Sequence, residues 1–448
     1  MEGVKKEPRN LFAVTGNPVL HSKSPDMFNA LFQQLPQRFG PNFVYTRLAA
    51  SDPVEAIYMF RQLGLRGMNV TAPFKKDMML HLDMAENAAI RVGGVNTVFN
   101  RDYGMIGTNT DFSGVVESLK RRNIQMEKRQ FVILGAGGAG RAAAYGLVRE
   151  GAEVIIVNRS YSKTVEAAYM TGGRAEDFST LGSLLRNAHG LISTLSADID
   201  VVDEHWLNKD LVVFDANYKR SALSVKARAR GCTVITGEEW LLNQGIPALR
   251  HFLGYEADAG AQQIMAEALK PGKQSKQKSI VALVGFMGSG KSYIGKMLAK
   301  QLGYQFKDTD QLIEAKAGCS IPQIFKEKGE PWFRNIEKEI LNEELQTGNE
   351  TVYACGGGIV LDEKNKTILK NRALTIWLYS SIEKTLLRLV PGERPLLDLP
   401  DPGQEAKKLL EQRLIHYARS SHLVVCSEPE AQEVAKKIHA EINQTFNN

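Results

Sequence analysis

The chain has 448 residues, of which 43% are hydrophobic and 24% are charged, and its formal net charge is +6. This length exceeds the size of one ordinary hydrophobic core and predicts two or three globular domains. The basic residues are scattered and form no dense patch, which disfavours nucleic-acid binding and favours anionic small molecules as ligands.

The cysteines and the N-terminus indicate the compartment. Cys232, Cys319, Cys355 and Cys426 lie far apart without a C-x-x-C pair, which indicates reduced thiols rather than a disulfide or zinc framework. The first residues are polar, and no run of about 18 apolar residues occurs. We therefore expect a soluble cytoplasmic protein without a membrane partner. The sequence does not specify an oligomeric state.

Strands and helices alternate through the first lobe, which predicts βαβ units and a largely parallel sheet. A strand over residues 11–15 is followed by the loop His-Ser-Lys-Ser-Pro, which carries the hydroxyls of Ser22 and Ser24. Further along, a strand end and a proline stop separate Thr71 from Lys75.

Asn96 and Asp111 lie in the two segments that close this lobe. Asp111 directly precedes a predicted helix over residues 112–121, and its position alone is that of a plain N-cap.

A glycine-rich turn then follows a buried strand over residues 131–134 and precedes a helix and another strand. This context is what a dinucleotide-binding fingerprint requires. The position about 20 residues beyond the glycines, which holds an acid in NAD sites, holds Asn158 and Arg159 here; an arginine suits a 2′-phosphate and predicts NADP. Lys163 either adds charge to the site or is a solvated side chain. The predicted cofactor residues are Gly135, Gly137, Gly138, Gly140, Asn158, Arg159, Ser160 and Lys163.

Three further strands complete a predicted doubly wound sheet, and a helix that begins near Gly237 is expected to return to the first lobe. A polar, charged stretch then predicts a linker. The predicted domains are a substrate lobe (1–110), a Rossmann lobe (111–270), the linker (271–278) and a third α/β domain with a parallel sheet (279–448).

The third domain opens with an apolar strand and the segment Gly-Phe-Met-Gly-Ser-Gly-Lys-Ser, which fits the G-x-x-x-x-G-K-[ST] phosphate loop. Gly288 and Gly290 allow the backbone to curl round a phosphate. Lys291 is expected to reach the outer phosphates of ATP and Ser292 to bind Mg²⁺. No N-K-x-D guanine motif follows, so a GTPase is disfavoured.

Several charged residues downstream are candidates for the same site. Asp308 and Asp310 are expected to point the same way on an extended chain. Arg334 and Glu337 are three apart on one helix face, and a strand ends in Gly356-Gly357-Gly358. The remaining candidates are Arg388, Arg394 in a segment suited to a lid, and Arg413 on a late helix.

Together these motifs make the chain resemble two shikimate-pathway enzymes joined end to end. Residues from about 11 to 269 resemble shikimate dehydrogenase, and those from 279 onward resemble shikimate kinase. The first resemblance implies a catalytic pair, Lys75 and Asp111, and reduction of 3-dehydroshikimate to shikimate by NADPH. The substrate-binding residues that it implies are Ser22, Ser24, Thr71, Asn96, Gln244 and, as a lesser candidate, Tyr218.

The second resemblance implies ATP- and Mg²⁺-dependent phosphorylation of shikimate to shikimate 3-phosphate. Asp308 is implied as the magnesium-linked acid, beside Ser292. Asp310 is implied to bind shikimate and orient its 3-hydroxyl, and Arg394 to cover the transferring phosphate. Arg334, Gly357 and Arg413 match further shikimate-binding positions.

Two local departures concern the dehydrogenase resemblance. Phe28 stands where relatives often carry histidine, and the segment Asp215 to Tyr218 continues Lys-Arg-Ser-Ala rather than with a proline-rich turn. Two other functions stay open. One is a quinate/shikimate dehydrogenase fused to a kinase for another small metabolite, and the other is a chain in which one half is a non-catalytic ligand sensor.

Overall fold

The computed structural model describes residues 10–218, 220–270, 279–388 and 401–446, so the predicted linker (271–278) lies outside the described residues. The fold is mixed α/β with large parallel sheets, as predicted. The chain forms two compact units. The first comprises Met1–Pro25, Leu35–Arg66 and Pro271–Asn448, and the second comprises Asp26–Gln34 and Gly67–Lys270.

The elements are numbered in chain order. The strands are β1 (Leu11–Gly16), β2 (Val44–Ala49), β3 (Gly67–Val70), β4 (Met84–Ala85), β5 (Thr97–Arg101), β6 (Gly104–Thr108), β7 (Gln130–Leu134), β8 (Glu153–Val157), β9 (Arg174–Glu176), β10 (Gly190–Ser193), β11 (Val212–Asp215), β12 (Thr233–Ile235), β13 (Ile280–Val284), β14 (Gln305–Asp308), β15 (Thr351–Ala354), β16 (Leu374–Tyr379) and β17 (Leu423–Cys426). The helices are α1 (Ser24–Gln34), α2 (Pro36–Phe39), α3 (Pro53–Leu63), α4 (Asn87–Val92), α5 (Asp111–Arg121), α6 (Gly138–Arg149), α7 (Tyr161–Thr171), α8 (Leu181–Asn187), α9 (Ala222–Ala229), α10 (Gly237–Leu253), α11 (Ala259–Leu269), α12 (Lys291–Leu302), α13 (Thr309–Ala317), α14 (Ile321–Glu327), α15 (Gly329–Thr347), α16 (Glu363–Arg372), α17 (Ile382–Arg388), α18 (Pro402–Ser420) and α19 (Ala431–Phe446).

In the second unit, a parallel sheet has the strand order β12-β11-β10-β7-β8-β9. Alternate residues of β7 serve two different cores. Phe131 and Ile133 pack with residues of α5 and α6, whereas Val132 and Leu134 pack with residues of α8 and α9. Helices therefore cover both faces, as a doubly wound sheet requires, and the glycine-rich turn leaves β7 where the strand order reverses.

A smaller group of strands in the same unit has the order β3-β5-β6-β4. The β3–β5 and β5–β6 pairs are antiparallel and the β4–β6 pair is parallel. Helix α10, which begins at Gly237, packs against α5, β3 and β5.

In the first unit, the strands have the order β14-β15-β13-β16-β17-β2-β1. All of these pairs are parallel. The phosphate-loop segment leaves the carboxyl end of β13, between β15 and β16. The register pairs Val424 of β17 with Leu48 of β2, so strands from the two ends of the chain share one sheet.

Among the described residues, no helix combines the length and apolarity that are needed to cross a membrane.

Candidate active sites

Lys75 and Asp111 form an ion pair in the second unit. The chain turns after β3, and the Val95 amide donates to the Lys75 carbonyl at 2.7 Å, which anchors the backbone of the lysine. Lys75 Nζ lies 2.6 Å from Asp111 Oδ2, and their side chains are 23% and 2% exposed. A buried carboxylate thus holds an ammonium that solvent still reaches.

Asn96 fixes the other oxygen of Asp111. Its amide nitrogen lies 2.8 Å from Asp111 Oδ1, 3.0 Å from Thr110 Oγ1 and 3.2 Å from Gln244 Oε1. Asn96 Oδ1 accepts from the Thr110 amide at 2.7 Å. Three predicted residues therefore meet at one place, and Thr110 joins them.

The expectation that Asp111 is a plain N-cap is wrong. Thr110 occupies the cap position and Asp111 is the first residue of α5. The Asp111 carboxylate accepts from Lys75 and Asn96 side chains, while its amide donates to Asn109 Oδ1 at 3.0 Å. A carboxylate engaged by an ammonium and an amide serves the site rather than the helix end.

Helix α10 supports the pair from behind. Trp240 Nε1 donates to the Asp111 carbonyl at 2.9 Å. This approach needs Gly114, because a Cβ there would lie 2.6 Å from the Trp240 ring. One turn further on, the same helix presents Gln244.

Thr71, Tyr218 and Phe28 also belong to the second unit. Thr71 directly follows β3, and its carbonyl accepts from the Phe74 amide at 3.1 Å. Burial, and then the charges of Asp111 and Glu238, raise the pKa of the half-buried Tyr218 hydroxyl. Phe28 is buried and stacks on Phe32 at 6.5 Å between ring centroids, so it is a core residue.

The Lys-Arg-Ser-Ala segment that follows Tyr218 leads into the N-terminus of helix α9. Ser221 is the N-cap of α9 and accepts from the Ser224 amide at 3.0 Å. Both serine hydroxyls donate to the buried Asp215 carboxylate. The serine of Lys-Arg-Ser-Ala thus replaces a proline turn with a capped helix.

A cavity of about 400 Å³ lies beyond the glycine-rich turn. Gly135 has φ +114°, and a Cβ on Gly140 would lie 1.9 Å from the Gly135 carbonyl oxygen, so α6 can approach β7 only with glycine there. A Cβ on Gly137 or Gly138 would meet nothing within 4 Å. The cavity is lined by Lys76, Ala136, Gly137, Arg141, Asn158, Arg159, Ser160, Lys163 and Glu166.

Ser22 and Ser24 belong to the first unit. Both are buried, and their hydroxyl oxygens lie 3.4 Å apart. Arg47 of β2 donates from Nη2 to the Ser22 carbonyl at 2.6 Å. The loop is therefore anchored to the neighbouring strand.

The phosphate-loop segment has the backbone that its glycines permit. Gly288 and Gly290 have φ of 74° and 83°, a region that other residues rarely adopt. Lys291 Nζ donates to the Gly285 and Phe286 carbonyls at 3.0 and 2.9 Å. Ser292 Oγ donates to Asp308 Oδ2 at 2.6 Å.

Asp308 and Asp310 do not share an extended chain, so that expectation is wrong. Asp308 ends β14 and caps α13, and its Oδ1 accepts from the Asp310 amide at 3.0 Å. Because aspartate is a strong N-cap, the chain turns into a helix at Thr309. Both aspartates nevertheless line one cavity.

That cavity, of about 480 Å³, also gathers two arginines. Arg334 donates from Nη1 to Glu337 Oε2 at 2.8 Å, three residues along α15 as predicted. Burial raises the pKa of the Glu337 carboxyl, against the lowering by Arg334. Arg413 is buried and donates to the Gly357 carbonyl at 3.3 Å, so two guanidinium groups and the Asp310 carboxylate face the same space.

The triple glycine makes room for these charges. A Cβ on Gly356 would lie 2.6 Å from Glu337 Oε1 and 3.0 Å from Asp310 Oδ1. A Cβ on Gly358 would lie 2.5 Å from both terminal nitrogens of Arg334. The glycines thus admit the side chains of the site.

Arg388 ends α17 and donates to the Ser427 carbonyl at 3.2 Å. Arg394, the predicted lid arginine, lies outside the described residues.

Comparison with known proteins bears on both sites. The family model described as the shikimate dehydrogenase substrate-binding domain matches residues 14–98, and that of shikimate/quinate 5-dehydrogenase matches residues 117–216. The NADP⁺-dependent shikimate dehydrogenase of Thermococcus kodakarensis is 37% identical over 260 residues, which are 56% of this chain and 93% of the relative. This chain belongs to the shikimate dehydrogenase family.

A shikimate kinase domain follows in the same chain, since that family model matches residues 287–443. Solved shikimate dehydrogenases resemble the other part. The enzyme from Aquifex aeolicus has a TM-score of 0.54 at 32% identity, covering 58% of this chain and 98% of its own. The enzyme from Thermus thermophilus, in complex with NADP(H) and shikimate, has a TM-score of 0.52 at 30% identity with the same coverage.

The dehydrogenase region fits NADP. The open space over Gly137 and Gly138 would give a pyrophosphate access to backbone amides at the start of α6. Arg159 and Lys163 line the same cavity and offer the cations that a 2′-phosphate requires. Sequence reasoning did not predict that Lys76, Arg141 and Glu166 also line this cavity. The glycine fingerprint describes the turn itself and gives no information on the residues that lie opposite it.

The kinase region fits a nucleotide with Mg²⁺. In the part of the chain that the structure describes, no group of three or more His, Cys, Asp or Glu is placed to hold a metal. Mg²⁺ needs no such cage, because it uses one or two protein oxygens beside phosphates and waters. The Ser292 hydroxyl and Asp308 carboxylate are an oxygen pair of this kind.

Proposed function

We propose that this bifunctional enzyme reduces 3-dehydroshikimate to shikimate with NADPH and then phosphorylates the C3 hydroxyl of shikimate with ATP. The observation that carries the proposal is the Lys75–Asp111 pair, held by Asn96 in the same chain as a complete phosphate loop. The first product supplies the hydroxyl that the second reaction phosphorylates.

In the dehydrogenase reaction, NADPH supplies the hydride to the substrate ketone. Lys75 then donates a proton to the carbonyl oxygen as negative charge develops there. Asp111 orients the ammonium, and Asn96 keeps the carboxylate from rotating away. Ser22 and Ser24 bind the substrate carboxylate, and Thr71, Gln244 and Tyr218 are the remaining substrate contacts.

In the kinase reaction, ATP with Mg²⁺ supplies the phosphoryl group. Lys291 and the loop amides bind the phosphates, while Ser292 and Asp308 hold the metal ion. Arg334, Arg413 and the Gly357 backbone bind shikimate, whose carboxylate suits a guanidinium. Asp310 orients the attacking hydroxyl or accepts its proton, and Arg394 covers the transferring phosphate.

The proposed domains are the substrate lobe (1–110), the Rossmann lobe (111–270), a linker (271–278) and the kinase domain (279–448). The cytoplasm, which supplies NADPH and ATP, is the proposed location. The absence of nucleic-acid and membrane partners stays a prediction from the composition.

A coupled assay on purified protein tests the function. With 3-dehydroshikimate, we expect loss of NADPH absorbance, and addition of ATP and Mg²⁺ should then yield shikimate 3-phosphate. Chelation of Mg²⁺ should stop only the second step. Faster oxidation of quinate with NAD⁺ would favour the quinate alternative, and NADPH loss without a phosphate ester would reassign the kinase substrate.

Arg159→Gln is expected to raise KM for NADPH roughly tenfold to a hundredfold, because a charged hydrogen bond to the 2′-phosphate is lost. KM for NADH should not change. Steady-state kinetics with both cofactors measure this, and Arg174→Gln, a 63%-exposed arginine of the same lobe, is the control. An equal effect on both cofactors would contradict a 2′-phosphate role.

Gly358→Ala is expected to raise KM for shikimate about tenfold, because its Cβ would push Arg334 from its place. KM for ATP and the dehydrogenase activity should be unchanged. Kinase kinetics with each substrate varied in turn measure the effect. An unchanged KM for shikimate would show that Arg334 does not bind this substrate from its present position.

A further inference from the structure

Glu441 lies on α19, inside the region that the shikimate kinase model matches, and its contacts are in the dehydrogenase region. The residue is 2% exposed. Its Oε2 accepts from the Val19 amide at 2.9 Å and from the Leu20 amide at 2.8 Å, while Oε1 accepts from Val19 at 3.1 Å. Both amides precede the loop that carries Ser22 and Ser24.

These bonds continue into the serine loop. The Val19 carbonyl accepts from the Ser22 amide at 3.0 Å, so the peptide that Glu441 holds forms the turn leading to Ser22. On its other side, Arg47 donates to the Ser22 carbonyl. The backbone around Ser22 is therefore held by one carboxylate and one guanidinium.

The contact is part of a larger seam within the first unit, which we define as the contacts of residues 11–25 and 35–66 with residues 423–446. Strands β2 and β17 pair in parallel. Lys437 Nζ lies 2.6 Å from Glu55, with both side chains largely buried, and Tyr58 donates to Glu428 at 2.9 Å. The β2–β17 pairing and these side-chain contacts hold α19 next to the loop that carries Ser22 and Ser24.

A buried carboxylate is costly unless it is paired and hydrogen-bonded. Burial raises the pKa of Glu441, while the Val19 and Leu20 amides, Lys437 and Arg47 lower it. An apolar side chain would fill the same space without this cost, but it would leave two buried amides without an acceptor. The carboxylate therefore has a specific task, which is to hold the backbone of this loop in one place.

We propose that Glu441, a residue of the kinase domain, is a positioning residue for the dehydrogenase substrate. It holds the turn at Val19 and Leu20 so that the Ser22 and Ser24 hydroxyls are preorganised for the substrate carboxylate. This inference rests on the proposed function, in which these serines bind 3-dehydroshikimate. The dehydrogenase half of this fusion thus depends on a kinase helix for substrate affinity.

The test uses full-length Glu441→Ala and Glu441→Gln. In Glu441→Ala, we expect amide hydrogen exchange at Val19 and Leu20 to be at least about tenfold faster and KM for 3-dehydroshikimate to rise about tenfold. The rise in KM should exceed any fall in kcat, because the serines bind the substrate carboxylate, which lies away from the reacting ketone. Glu441→Gln should recover most of the loss, since one carbonyl oxygen can accept from both amides.

Tyr58→Phe is the matched control, because it removes a seam hydrogen bond that does not reach the loop. Kinase activity with shikimate verifies that α19 is folded in each variant. The inference is overturned by unchanged exchange at Val19 and Leu20, by faster exchange with an unchanged KM, or by an equal effect of Tyr58→Phe. An inactive wild-type chain would instead contradict the proposed function. The role of Glu441 would then be decided by comparing wild type and Glu441→Ala in amide hydrogen exchange at Val19 and Leu20 and in equilibrium dialysis of shikimate.

Discussion

Replacement of Lys75 by methionine is expected to lower kcat for 3-dehydroshikimate reduction about 10³-fold, within the range typical of a lost general acid. Methionine keeps most of the side-chain volume but offers neither a proton nor a charge to the developing alkoxide. The 2.6 Å contact with Asp111 and the partial exposure of Lys75 place its ammonium where a substrate can reach it. Single-turnover oxidation of NADPH measures the chemical step directly.

Two comparisons separate this loss from misfolding. Lys120→Met removes a lysine from an exposed ion pair with Glu150 in the same unit, and such pairs contribute little to stability. Its activity should match that of the wild type, and the kinase activity should persist in both variants. Retention of more than about a tenth of kcat in Lys75→Met would exclude Lys75 as the proton donor.

The pair should also behave as one unit. Asp111→Asn removes the charge that orients the ammonium, so its kcat should fall as well. Because the proposed mechanism assigns both residues to the same proton transfer, Lys75→Met/Asp111→Asn should lose little more than Lys75→Met alone. Additive losses in this double-mutant cycle would mean that the two side chains act independently.

The residues that sequence reasoning found are those whose chemistry restricts the residue type. Lys75, Asp111 and Lys291 were predicted from spaced motifs, and the structure places Lys75 beside Asp111 and Lys291 against the carbonyls of the phosphate loop. The α/β class and the doubly wound sheet follow from local strand–helix alternation, which the chain shows without long-range information. Arg334 and Glu337 pair because they are three positions apart on one helix face.

What was missed depends on contacts between distant segments. Glu441 and Val19 are 422 residues apart. They meet because β17 pairs with β2, and the local sequence pattern of a strand does not specify which distant strand will pair with it. Arg141 lies directly after the glycine fingerprint, yet its partners are the Val92 and Gly93 carbonyls of another helix end. The geometry of Asp308 was misjudged for a local reason, since an aspartate at a strand end is also a good helix cap.

Lys291→Met is expected to lower kcat for shikimate phosphorylation about 10³-fold and to leave the dehydrogenase activity unchanged. Phosphoryl transfer depends mainly on positioning and charge neutralisation, so the loss of one cation at the phosphates removes transition-state stabilisation directly. The Lys291 ammonium already lies against the Gly285 and Phe286 carbonyls of the loop, at the start of α12. Methionine preserves the helix propensity at the start of α12 but places an apolar group where the ammonium would contact the phosphates.

The measurement is formation of shikimate 3-phosphate from shikimate and ATP, with the dehydrogenase rate of the same sample as an internal standard. Lys300→Met, an exposed lysine in the last turn of the same helix, is the matched control and should retain full kinase activity. Kinase activity that survives in Lys291→Met would contradict a phosphate-loop mechanism. A parallel loss of the dehydrogenase rate would instead mean that α12 supports both sites, since α19 packs against it and carries Glu441.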